Sequence, residues 1–166
     1  MGAENDKECT RAKNIAYRYL SYRPRSYAEV ERKLRDQGFG DVTVRTVLSN
    51  LIRLGYIDDE KFADQWAQSR VRLRGLGRRR IEQELRDKGV DRETARRALE
   101  DVLTADLEIE TAKKAVERKL TTMRTLDRET RRRRLAGFLE RKGFSFAVIR
   151  HILRKGAGIP PSSDGG

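Results

Sequence analysis

The chain has 166 residues, 39% of them charged, and its 38 basic against 26 acidic side chains give a net charge of +12. That length allows one ordinary domain or several small modules, and a pI near 10.2 makes an anionic partner the leading expectation, nucleic acid ahead of an acidic protein or a membrane surface. One cysteine, Cys9, excludes an internal disulfide and a multi-cysteine zinc site, which fits the cytosol, and no run approaches the roughly 20 apolar residues of a membrane span.

Residues 1–7 are polar, carry no apolar signal core and are expected to be flexible. Ala12, Ile15, Ala16, Tyr19 and Leu20 then mark one stripe of an amphipathic helix, with Cys9 on the same face as a small core residue. Arg23-Pro24-Arg25 breaks it. Ser26 and Glu29 form a capping box for a second helix, whose inward face is Val30 and Leu34 and whose end is Gly38. Val44, Val47, Leu48, Leu51 and Ile52 predict a third helix ending at Gly55. Asp58 is the expected N-cap of a fourth, with Phe62, Trp66 and Leu73 inward, up to a break at Gly75-Leu76-Gly77. Ile81 and Leu85 lead to Gly89, and Asp91 caps a helix carrying Ala95, Ala98, Leu99, Val102 and Leu103. Ile109, Ala112, Val116 and Leu120 predict a longer helix. Leu135 and Leu139 lead to Gly143, and Ser145 caps a last helix with Ile149, Ile152 and Leu153. Residues 156–166, rich in Gly, Pro and Ser, are expected to be a disordered tail.

One phrase recurs three times: Leu34 to Gly38-Phe39, Leu85 to Gly89-Val90, and Leu139 to Gly143-Phe144. The glycines are 51 and then 54 residues apart. With no alternating strand pattern, this predicts an all-α chain of three tandem three-helix repeats at 8–57, 58–103 and 104–155. Units of about 50 residues are marginal alone, so stacking into an elongated, curved array is expected.

Chemistry of other kinds finds little support. Gly75-Leu76-Gly77 lacks the strand, the third glycine and the GK[ST] of a phosphate loop. Asp58-Asp59 sits where a helix needs a cap. His151, alone among basic residues, is expected to be exposed, and with Cys9 at the other end no nucleophilic triad is evident. No catalytic residue, cofactor or metal site is expected. Two arginine clusters stand out instead. Arg70, Arg72, Arg74, Arg78, Arg79 and Arg80 have no acid among them, and Arg131, Arg132, Arg133 and Arg134 form a second run. The planar guanidinium pairs bidentately with phosphate or carboxylate. Tyr17 and Tyr22 lie partly off the inward stripe, where they could stack on bases. Helix, glycine turn and capped helix also describe a helix-turn-helix, but the third helices offer almost no Asn or Gln for reading bases.

Arg23-Pro24-Arg25-Ser26 leading to Gly38-Phe39, the stretch from Leu54 to Ala63, and Arg74 to Ile81 followed by Lys88-Gly89-Val90 together resemble the RecX regulatory proteins over about residues 10–155. The resemblance implies a bacterial cytoplasmic, non-enzymatic modulator of the RecA recombinase. It would lie along the RecA–single-stranded-DNA filament, touch the recombinase and the DNA, and inhibit filament extension, ATP hydrolysis and strand exchange. We expect a monomer with no membrane contact, the arginines named above being its binding candidates. The competing expectation is a repeat-built DNA-binding protein without a recombinase partner.

Overall fold

The computed structural model describes residues 2–154, with side chains from Asp6 onward. Among these residues the fold is all-helical: α1 (Gly2–Tyr22), α2 (Tyr27–Asp36), α3 (Asp41–Arg53), α4 (Asp59–Ser69), a π-helical turn (Arg70–Arg74), α5 (Arg78–Asp87), α6 (Arg92–Val102), α7 (Ala105–Leu120), α8 (Arg128–Arg141) and α9 (Phe146–Arg154). Residues 2–7, expected to be flexible, form the first turns of α1. The tail expected at 156–166 lies outside the described residues.

The helices begin and end where the local chemistry requires. Ser26 and Glu29 form the capping box on α2, and Asp58 accepts the Lys61 N–H at 3.0 Å at the start of α4. Asp91 accepts the Thr94 N–H at 3.0 Å, and Ser145 the Val148 N–H at 3.3 Å. Each satisfies a backbone donor that the first turn leaves open.

Contacts group the chain into two compact units, Met1–Gln65 with Leu85–Ala95, and Trp66–Glu84 with Arg96–Gly166. In the first, Ala12 and Ala16 of α1, Val30 and Leu34 of α2, and Val44, Val47, Leu48 and Leu51 of α3 form one core with Phe39 and Ile57. In the second, Ala112 and Val116 of α7, Leu135 and Leu139 of α8, and Ile149 and Ile152 of α9 form another with Met123 and Phe144.

Several inward assignments are corrected. Ile52 is 49% exposed: at 100° per residue it lies about 80° around the helix from Val44, on the edge of the stripe. Leu73 is 78% exposed, while Val71 is buried. The π-helical turn shifts the register after Ser69, so the inward place falls to Val71. Trp66, Cys9 and His151 are each half-buried rather than buried or exposed.

A joint made of backbone and a carboxylate occurs once in each unit. In the first, Ser26 Oγ donates to the Lys88 carbonyl at 2.5 Å, and the Tyr27 N–H, the first of α2, donates to Asp59 Oδ1 at 2.7 Å. In the second, the Gly77 N–H donates to the Lys142 carbonyl at 2.8 Å and the Arg79 N–H to the Gly143 carbonyl at 3.0 Å. The Arg78 N–H, the first of α5, donates to Glu108 Oε1 at 3.1 Å. Each joint thus caps a short helix with a carboxylate from about 30 residues downstream. Each also seats a recurring glycine: a Cβ on Gly89 would collide with the Ala28 side chain, and one on Gly143 with the Arg80 backbone.

Candidate functional site

The structure divides the ten candidate arginines into two kinds. Arg70 is tied down. Its Nε donates to Glu84 Oε2 at 2.6 Å, its guanidinium lies 3.7 Å from the centre of the Trp66 ring, and the Trp66 indole N–H donates to the same Glu84 oxygen at 3.1 Å. Arg80 approaches Glu84 Oε1 at 3.5 Å. Arg78 sends a guanidinium N–H to the Leu103 carbonyl at 2.5 Å, and Arg131 sends one to the Leu126 carbonyl at 2.7 Å. Arg70, Arg78 and Arg131 are thus tied into the fold, whereas Arg80 is 54% exposed at the side chain and its pair with Glu84 is a surface contact. Arg72, Arg74, Arg79, Arg132, Arg133 and Arg134 are exposed.

Arg72 and Arg74 open onto a cleft of about 490 Å³ in the second unit. The π-helical turn supplies Val71, Arg72, Arg74 and Gly75. Leu107, Thr111, Lys114, Ala115, Arg118 and Lys119 come from α7, and Phe138 and Lys142 from α8 and its end. The α7 residues recur at helical spacing, so a single face of that helix forms a wall. Six lining residues are cationic and none is acidic. Lys142 Nζ donates to the Arg74 carbonyl at 2.6 Å, closing the end of the π-helical turn. The Phe138 ring has Lys142 Nζ at 5.5 Å and Lys119 Nζ at 5.7 Å from its centre. Burial, and then the Arg118 charge, pull the Lys142 ammonium below its ordinary pKa.

A second concavity of about 380 Å³ is lined by Lys119, Met123, Arg133, Arg134, Gly137 and Arg141. Lys119 belongs to both, so Arg133 and Arg134 of the second arginine run join the cleft in one basic band. Sequence reasoning found Arg72, Arg74, Arg133 and Arg134 but missed Lys114, Arg118, Lys119 and Lys142. Their signal was Lys114 and Arg118 one turn apart on α7: like charges at i,i+4 weaken a helix.

The candidate stacking tyrosines differ. Tyr22 is 77% exposed, whereas Tyr17 packs edge-on against Tyr56 with ring centres 5.0 Å apart. The glycine break is structural: a Cβ on Gly77 would meet the backbone at Gly143 and Phe144. Among the described residues no group of three or more His, Cys, Asp or Glu is placed to hold a metal ion, and no helix is long and apolar enough to cross a membrane.

Three successive three-helix sets, carrying an acid-free basic cleft, define an all-α tandem-repeat protein with a surface suited to polyanions. Models of the RecX family match all three sets: the first three-helix domain over residues 12–51, the second over 58–99 and the third over 106–153. The chain is 38% identical over 149 residues to the regulatory protein RecX of Amycolatopsis mediterranei, covering 87% of this chain and 85% of that one. It is 40% identical over 148 residues to the regulatory protein RecX of Streptomyces coelicolor, covering 87% and 76%. The crystal structure of RecX from Lactobacillus salivarius superposes with a TM-score of 0.82 at 26% identity, covering 90% of this chain and 97% of that one. The chain belongs to the RecX family of regulatory proteins.

Proposed function

We propose that the protein is a cytoplasmic, monomeric regulator that binds the RecA–single-stranded-DNA filament and restrains its extension, ATP hydrolysis and strand exchange. The observation that carries this reading is the match of all three repeats to the family. The basic band supports it physically. A filament offers regularly spaced phosphates and acidic side chains, and several modest contacts held by one chain add avidity without a tight single site. A regulator of this kind acts by preferring one filament state over another, with no bond made or broken. The three repeats, taken as 8–57, 58–103 and 104–155, supply the scaffold, and the exposed candidates Arg72, Arg74, Arg79, Arg132, Arg133 and Arg134 are free to reach a partner, Arg72, Arg74, Arg133 and Arg134 from the basic band.

The test is RecA ATPase and strand exchange on single-stranded DNA, with and without stoichiometric protein at low salt. Both are expected to fall. Unchanged rates would overturn the reading, and a footprint at one duplex sequence would favour a DNA-binding protein with no recombinase partner.

A further inference from the structure

We propose that the cleft between the π-helical turn, α7 and α8 is a binding site for a phosphorylated anion of nucleotide size, with Arg72, Arg74, Lys114 and Arg118 holding phosphate and the Phe138 wall holding the less polar part. This goes beyond the functional reading and does not depend on a recombinase partner.

Four observations carry it. First, the charge is one-sided. Arg72, Arg74, Lys114, Arg118, Lys119 and Lys142 line one concavity with no carboxylate among the lining residues, although 26 acids are present in the chain. None of the six forms an ion pair within the described residues, whereas neighbouring Lys113 is paired with Glu110 at 2.5 Å. Second, the arrangement is unfavourable without a ligand. Lys114 and Arg118 repel each other along α7, and Arg118 and burial together disfavour the charge on Lys142. An anion reverses both effects, and no acidic side chain of the cleft does so. Third, the size and lining exceed what a bare ion needs. A cleft of about 490 Å³ walled by Val71, Leu107, Ala115 and Phe138 falls within the range of small-molecule sites, which join an apolar wall to a few placed polar groups. Fourth, Arg72 and Arg74 stand on a π-helical turn, an uncommon element found often at functional sites. Its register shift puts Val71 inward and leaves the two arginines facing out.

Phosphate with an attached apolar face can come from a nucleotide within a single strand or from a free nucleoside polyphosphate. The experiment uses the full chain alone, with a labelled oligothymidylate, ATP and polyglutamate as separate probes. Two surface variants are compared: Lys114→Glu with Arg118→Glu in the cleft, and Arg32→Glu with Arg45→Glu, an equal charge change on exposed positions of α2 and α3. Circular dichroism checks that each folds, and Arg72→Gln with Arg74→Gln probes the same cleft from its other wall should the α7 pair unfold. At a few kcal/mol for two charge-assisted contacts, the cleft pair is expected to weaken binding about a hundredfold and the control pair much less. Loss confined to the oligonucleotide assigns the site to a strand, and loss shared with ATP assigns it to free nucleotides as well. No binding of either by the parent chain, equal loss in both charge-reversed pairs, or displacement by polyglutamate alone would overturn the proposal.

Discussion

Arg70 and Arg72 lie two positions apart and differ in everything that decides a role. Arg70 stacks on Trp66 and pairs with Glu84, and both members of that ion pair are only 16% exposed at the side chain. Removing one partner of such a pair leaves the other charge under-compensated, at about 2–3 kcal/mol. Arg70→Ala is therefore expected to lower the urea midpoint while leaving anion affinity nearly unchanged, and Arg72→Ala to do the reverse. Equal affinity losses in the two variants would count against this division. Trp66→Ala, which removes the stacked ring and its bond to Glu84, is expected to cost about 3 kcal/mol. The arginine clusters were legible as composition, but their partners were not: Glu84 is 14 residues from Arg70 and reaches it only through the fold. Glu29 is a second residue whose role is set by its surroundings. Burial pushes its carboxyl up, but the Arg23 and Ser26 hydrogen bonds and the Lys88 and Arg23 charges outweigh this and hold it below its ordinary 4.5. A lowered carboxyl contributes stability that is fully present above 4.5 and lost as pH falls through the lowered value. Asp59 works in the opposite sense, since burial raises its carboxyl above 3.8 and its contribution is lost as pH rises through that raised value. Glu29→Gln is thus expected to destabilise at pH 7 by about 2 kcal/mol and to flatten the acid-unfolding profile below pH 4.5.

At the level of elements, the three recurring glycines are not equivalent. Gly38, Gly89 and Gly143 all adopt positive φ, which alone makes alanine unfavourable by about 1 kcal/mol. Only Gly89 and Gly143 also lie against another helix: a Cβ there would overlap the Ala28 side chain or the Arg80 backbone, whereas one on Gly38 meets nothing within 4 Å. Gly38→Ala is expected to cost about 1 kcal/mol, and Gly143→Ala about 3 kcal/mol or more, because backbone must shift where a side chain could turn aside. Chemical denaturation of the two variants checks the order, and equal costs would mean that the second joint yields easily. The recurrence itself was readable from the chain, because a leucine, a glycine and a capped helix are local signals. The docking was not, since nothing near Gly143 in sequence points to Arg80. Nor was the π-helical turn. An α-helical period carried through residues 70–74 places Leu73 inward, and only the shifted register shows Val71 there and Leu73 outside. That same shift leaves Arg72 and Arg74 on the cleft, so the wrong inward residue and the incomplete site have one cause.

For the molecule as a whole, a charge of +12 ensures some attraction to any polyanion, so affinity alone does not show that a site exists. The salt dependence does. Each phosphate neutralised on a single strand contributes about −0.7 to the slope of log K against log salt. That slope rises with the number of phosphates neutralised, and because a diffuse field also weakens with salt, the comparison is made between variants of equal net charge. If the cleft engages a strand, reversing Lys114 and Arg118 removes two contacts and is expected to reduce the slope by roughly 1.4. Reversing Arg32 and Arg45 makes the same change in net charge at exposed positions of α2 and α3, and is expected to lower affinity modestly with little change in slope. The measurement is a titration of labelled oligothymidylate by the full chain from low to moderate salt, repeated for each variant. Parallel lines for the two variants would mean that net charge governs binding and that the cleft has no special part in it. A shallower line for the cleft variant alone would tie the polyanion affinity to the face that α7, α8 and the π-helical turn build.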